Sequence, residues 1–76
     1  MVVELAPGVV VDPAVRFGKP VIRGTRVPVE LVVGKLAGGM APEEVAAEYG
    51  LTVADVRATL RYAATVVASG EIRGIP

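Results

Sequence analysis

Two helical patterns separated by only three residues constrain the fold of this chain most strongly. The first, from Pro42 to Tyr49, starts with a proline and has two glutamates in its first turn, which favours a helix start there. Gly50-Leu51-Thr52 follows, with a glycine suited to a left-handed helix end and a threonine suited to an N-cap. Asp55 stands three residues beyond Thr52, as in a capping box. This spacing is typical of a helix-turn-helix motif, although an ordinary helical hairpin uses the same signals.

Residues 28–70 are predicted to form three helices. The first begins at Pro28, which suits the first turn of a helix, has valines and leucine at helical spacing, and ends at Gly38-Gly39. The third runs from the Thr52 cap to Ser69-Gly70. The apolar stripe predicted for the third helix consists of Val53, Val56, Leu60, Ala63, Ala64 and Val67.

Residues 1–27 are predicted to form a small β-ribbon of two or three strands. Val9-Val10-Val11 is a β-branched run that ends at Asp12-Pro13, and Pro20-Val21-Ile22 is a second run that ends at Gly24-Thr25. So small a ribbon is marginal in water, so it must pack on the helices or pair with a second copy. The expected fold class is mainly α with a short N-terminal β-ribbon, in one domain of residues 1–76 with a tail at 71–76.

The composition excludes several classes of function. The chain has no cysteine and no histidine, so disulfides and the common zinc-ligand sets cannot form, and we expect no metal or other cofactor. Ser69 is the only serine, so the usual nucleophile–base pairs are missing and we expect no enzymatic activity. The absence of Asn, Gln and Cys, with Arg in excess over Lys, fits a thermostable protein.

The N-terminal sequence and the hydropathy pattern predict a cytoplasmic protein. No apolar run reaches the length of about 18 residues that a membrane span needs. Glu4 and Pro7-Gly8 stand where a signal peptide would have a basic start and an apolar block. We therefore expect no membrane partner.

The apolar content favours self-association. Apolar residues make up 53% of the chain, whereas a domain this small hides only about 60% of the surface of its unfolded chain. An exposed apolar patch usually marks an interface, so we expect a homo-oligomer, most simply a homodimer. Scattered surface valines and alanines are the alternative. The residues predicted to contact a partner or a second copy are Val9, Val11, Val21, Ala58, Tyr62 and Thr65.

Charge is distributed unevenly along a chain whose formal net charge is +0. Neutrality counts against strong nucleic-acid binding, whereas the basic stretch from Arg16 to Lys35, with Glu30 as its only acid, favours a local contact. In a helix-turn-helix the third helix would enter the major groove, where arginine reads guanine and aspartate accepts from cytosine. The predicted DNA-binding residues are Thr52, Asp55, Arg57, Arg61, Lys19, Arg23 and Arg26.

Other uses of these residues stay open. As an alternative of equal weight to DNA binding, Arg57 and Arg61 are solvated charges on the flank of a helix that packs on another protein. Three uses compete for the basic stretch: it shapes the turn into the first helix, which is the simplest use, it grips a DNA backbone, or it meets an acidic protein surface.

The stretch Gly18–Val29, GKPVIRGTRVPV, resembles the hallmark of domain-of-unknown-function family 433. Residues 37–45 and 51–56 agree with the family in order and spacing, so the resemblance covers residues 9–68. It implies a three-helix helix-turn-helix of homeodomain or winged-helix type over residues 28–70. It also implies an antitoxin-like protein that neutralises a PIN-domain-like toxin and represses its own operon as a dimer. The alternative is a protein-interaction or oligomerisation module with the same fold and no DNA binding.

Overall fold

The computed structural model describes residues 1–70 and places three helices after a small antiparallel sheet. The mainly α architecture with a short N-terminal ribbon is therefore confirmed, and the predicted tail at 71–76 lies outside the described residues. Within residues 1–70, no helix combines the length and apolarity needed to cross a membrane. The elements are β1 (Val3–Ala6), β2 (Val9–Val11), β3 (Val21–Ile22), α1 (Val29–Ala37), α2 (Pro42–Tyr49) and α3 (Val53–Ser69).

The sheet has three strands in the order β1-β2-β3 and packs on the helices instead of standing free. Val9 lies opposite Ile22, and Val10 lies opposite Val21. The side chains of both pairs are buried, so the β-branched runs seen in the sequence form part of the interior. A further bridge between Val21 and Pro28 leads the chain from the sheet into α1.

One close approach joins the sheet to α3. Gly8 in the β1–β2 turn has a φ of +84°, and a Cβ built on it would lie 3.2 Å from the Cβ of Ala58. Glycine therefore serves both the left-handed turn and the contact, because any side chain there would press on α3. Ala58 is half-buried as a result.

The break between α2 and α3 has the geometry predicted from the sequence. Gly50 is left-handed, with φ 68° and ψ 34°, and the Leu51 N–H donates to the Ala46 carbonyl at 2.8 Å. The Thr52 hydroxyl accepts from the Asp55 N–H at 3.0 Å, and the Asp55 carboxylate accepts from the Thr52 N–H at 2.9 Å. The predicted bend and capping box are confirmed.

The helical core lies where the three helices meet the sheet. Its buried members come from every layer of the fold, and the partly buried Met40, Tyr49 and Leu51 pack around them. The residues of this core are Ile22, Val32, Val45, Ala46 and Val56.

The buried side of α3 differs from the predicted stripe. Val56 is buried and Ala63 half-buried, but Leu60, Ala64 and Val67 are exposed. Thr59 is fully buried instead. Its hydroxyl donates to the Asp55 carbonyl at 3.1 Å, which satisfies the polar group inside the fold. The buried side of α3 is therefore rotated about the helix axis relative to the predicted stripe, which is corrected in this respect.

Candidate nucleic-acid interface

The outer face of α3 combines two arginines with small side chains. Ala54, Arg57, Arg61 and Ala64 recur at helical spacing and are all exposed. Arg57 and Arg61 are four residues apart, so they are neighbours on this face. Among residues 1–70 neither arginine forms an ion pair, since both ion pairs there involve other residues. Because the flanking side chains are alanines, the helix backbone can approach a partner closely.

Thr52 and Asp55 lie at the start of the same helix, where their side chains cap it. Their side chains hydrogen-bond each other's backbone amides in the capping box. Asp55 is also half-buried rather than facing outward as predicted. Of the four residues predicted to contact DNA on α3 or at its N-cap, Arg57 and Arg61 are therefore the two whose side chains form no hydrogen bond or ion pair within residues 1–70.

The basic stretch is partly neutralised by ion pairs within the chain. The Lys19 ammonium lies 2.5 Å from the Glu30 carboxylate, and Arg23 pairs with Glu4. Both pairs are exposed, so they add little to stability, but they reduce the local positive charge. Arg26 is exposed, and its backbone carbonyl accepts a hydrogen bond from the Arg16 side chain at 3.2 Å.

The acids of α2 form an exposed negative surface that follows the basic stretch in the chain. Glu43, Glu44 and Glu48 are all exposed, and the Glu44 carboxylate accepts from the Ala41 N–H at 2.8 Å. Within residues 1–70, no three acidic side chains come close enough together to hold a metal ion.

The residues predicted to contact a partner do not form one surface. Val9 and Val21 are buried inside the chain itself, so they are not available to a partner, which corrects that expectation. Ala58 is half-buried under the β1–β2 turn. Val11 and Tyr62 are also half-buried, whereas Thr65 is exposed, with its hydroxyl donating to the Tyr62 carbonyl at 2.7 Å.

A groove between α1 and α3 is the concave apolar feature that sequence reasoning missed. We call it the α1–α3 groove, and its volume is about 560 Å³. Its walls come from three segments far apart in the sequence, residues 19–20, 29–34 and 62–67, which explains why no local pattern revealed it. The groove is lined by Lys19, Pro20, Val29, Glu30, Val33, Gly34, Tyr62, Ala63, Val66 and Val67.

Phe17 is a second feature that the sequence did not indicate. It is the only phenylalanine of the chain, and its side chain is 100% exposed. It lies in a short 3-10 turn, Arg16–Gly18, in the connection between β2 and β3. Nothing in the sequence around it distinguishes an exposed aromatic residue from a core one.

The fold and the exposed face of α3 together define a small, mainly α protein whose N-terminal sheet covers one side of a three-helix core. The family model for "Protein of unknown function (DUF433)" matches residues 9–63, and the chain belongs to this family.

A solved structure is similar to part of this chain. The X-ray crystal structure of Rv2018 from Mycobacterium tuberculosis matches with 40% sequence identity and a TM-score of 0.64. The match covers 68% of this chain but only 24% of that chain. No curated protein matches the sequence.

Proposed function

We propose that this protein is a DNA-binding, antitoxin-like protein that neutralises a PIN-like toxin and represses its own operon. In this proposal α2, the Gly50 bend and α3 act as a helix-turn-helix, with α3 in the major groove. The observation that carries DNA binding is the pair Arg57 and Arg61, exposed on the outer face of α3 and free of ion pairs among residues 1–70.

Arginine chemistry sets what α3 recognises. A guanidinium group donates two parallel hydrogen bonds to O6 and N7 of guanine. Four residues of helix rise by about 6 Å, so Arg57 and Arg61 span roughly two base-pair steps. The chain has no Asn or Gln to read adenine. We therefore expect a recognition site with two guanines about two base pairs apart.

The antitoxin role rests on a different kind of support from DNA binding. It comes from the resemblance of the Gly18–Val29 stretch to a family with antitoxin-like members, and from a composition with no histidine or cysteine to build the usual nucleophile–base pairs. Because an antitoxin acts by binding its toxin, its effect is measured as a loss of the toxin's activity.

A second candidate function is a protein-interaction module that does not bind DNA. Glu43, Glu44 and Glu48 on α2 are exposed and would repel phosphates, and the formal net charge of the chain is +0. These acids favour a neutral or basic protein surface as partner.

The DNA-binding proposal is tested with a labelled duplex from upstream of the protein's own gene. Affinity is compared with a shuffled duplex of the same composition at ~100 mM salt, because salt sets the non-specific background. We expect binding to the natural duplex at least tenfold tighter. Equal affinity for the two duplexes would reject sequence reading and leave the interaction module.

The antitoxin proposal is tested separately by co-expression with a PIN-like product of a neighbouring gene. We expect the two chains to co-purify and the toxin's ribonuclease activity to fall as this protein is added. Full ribonuclease activity at a molar excess of this protein would reject the antitoxin role, whatever the DNA result.

A further inference from the structure

We propose that the α1–α3 groove and the C-terminal end of α3 together form the contact surface between two copies of this chain. The proposal goes beyond the DNA-binding function and does not depend on it. Three independent features of the described residues carry it: the apolar groove itself, a glycine in the middle of α1, and an uncharged helix end beside the groove.

The groove leaves apolar side chains in contact with water when the chain is a monomer. Val66 is 48% exposed and Val67 is 71% exposed, on the wall that α3 contributes. Val29 and Val33 line the opposite wall on α1. A concave apolar surface of this kind usually marks a binding site.

Gly34 has no packing role among residues 1–70. It lies in the interior of α1, where glycine weakens a helix relative to alanine. A Cβ built on it would meet no atom within 4 Å among the described residues, so nothing in that part of the chain requires a glycine. Because Gly34 lines the groove, we infer that its missing side chain lets another backbone approach α1.

The C-terminal end of α3 is exposed to solvent. Ala64 to Gly70 are exposed on every side of the helix. From Tyr62 to Gly70 the sequence contains no charged residue, whereas a solvated helix normally carries charges on its outer face. Short helical ends without packing are marginal in water, so this end favours a covering partner.

A second copy is the partner that fits both features at once. The exposed uncharged helix end and the apolar groove lie side by side on one chain, so two copies related by a two-fold axis can exchange them in an isologous contact. The charges at the rim, Lys19 and Glu30, are already paired, so the contact brings no net charge together.

The available area fits a weak dimer. Each copy would contribute about fifteen residues, namely the groove residues and the remaining residues of the α3 end. At the usual area per interface residue, a contact of this size buries roughly 1,000 Å² in total. This lies at the lower limit for a specific interface. We therefore expect a reversible dimer that half-dissociates on the order of micromolar protein.

The test is sedimentation equilibrium of the full chain from ~1 to ~200 μM. Wild type should pass from monomer to dimer over this range. V66E/V67E, which adds charges at two exposed helix positions, should raise the concentration of half-dissociation at least tenfold. The matched control is V2E/V3E, which adds the same charges to two exposed valines near the N-terminus and should leave the dimer unchanged.

A second variant separates loss of the contact from loss of the fold. Gly34→Gln improves the helix but fills the groove, so it should raise the melting temperature measured at a concentration where the chain is monomeric, and still weaken the dimer. A wild-type chain that stays monomeric at ~200 μM would overturn the proposal and leave the groove to another occupant. Equal weakening by V2E/V3E and V66E/V67E, or an unchanged dimer in Gly34→Gln, would also overturn it.

Discussion

Arg16 and Phe17 adopt a backbone conformation that ordinary residues avoid. Their φ angles are 51° and 56°, in the left-handed region. A residue with a Cβ pays about 1–2 kcal/mol there. Arg16 gains a side-chain hydrogen bond to the Arg26 carbonyl, but Phe17 has a fully exposed side chain with no burial to offset the strain.

Phe17→Gly should therefore stabilise the fold. Glycine removes the left-handed strain but also gains freedom in the unfolded chain, so we expect a net increase of roughly 0.5–1 kcal/mol in the free energy of unfolding. Thermal or urea unfolding followed by circular dichroism measures it. Ala14→Gly, in the same connection but outside the positive-φ region, is the control and should destabilise. A loss of stability in both variants would contradict the strain argument.

Thr52→Ala should lower the free energy of unfolding by about 1 kcal/mol, because the start of α3 would lose its side-chain acceptor. Thr65→Ala in the same helix is the matched control. The Thr65 hydroxyl bonds only to a carbonyl of its own helix, so alanine should be neutral or slightly stabilising there. Urea midpoints that fall equally in the two variants would show that the cap is not important.

At the scale of elements, the ends of α2 and α3 were predictable and the orientation of α3 was not. Pro42, Gly50 and Thr52 act through their own backbone and nearest hydrogen bonds, so local sequence was sufficient to place them. Which side of α3 is buried depends on where the sheet and α1 pack. Alanine, valine and leucine occur around the whole helix, so periodicity alone pointed to Leu60 and Val67 instead of Thr59.

The outer face of α3 should determine how strongly the protein prefers the natural duplex to the shuffled one. R57A/R61A should reduce the affinity ratio between the natural and shuffled duplexes at least tenfold, since each bidentate guanine contact contributes about 1–3 kcal/mol. K19A/R23A removes the same amount of charge, but from side chains that already pair with Glu30 and Glu4.

The control K19A/R23A should lower both affinities by a similar factor and leave their ratio unchanged. Fluorescence anisotropy with both duplexes gives the ratio directly. If K19A/R23A abolished discrimination while R57A/R61A preserved it, the contact would belong to the N-terminal ribbon.

At the scale of the whole molecule, the site was less predictable than the fold. The arginines of α3 follow from one helical pattern, whereas the α1–α3 groove exists only because residues 19–20, 29–34 and 62–67 meet in space. The apolar content predicted an interface, but of the residues placed there Val9 and Val21 form the interior instead, whereas Tyr62 lines the groove.

Self-association should make the stability of the wild-type chain depend on its concentration. Binding that occurs only in the folded state raises the melting temperature by mass action. Between ~2 and ~200 μM we expect a rise of several degrees for wild type and almost none for V66E/V67E. Scanning calorimetry at the two concentrations measures this difference. A concentration-independent transition in wild type would argue for a monomer.

The two tyrosines of this protein lie in different environments, which makes them useful for fluorescence spectroscopy. The chain has no tryptophan and two tyrosines, of which Tyr49 packs against the core and Tyr62 lines the groove wall. Intrinsic ultraviolet emission thus arises from one fluorophore that senses unfolding and one that senses coverage of the groove. Replacing either tyrosine with phenylalanine leaves a built-in reporter for the other event, without any attached dye.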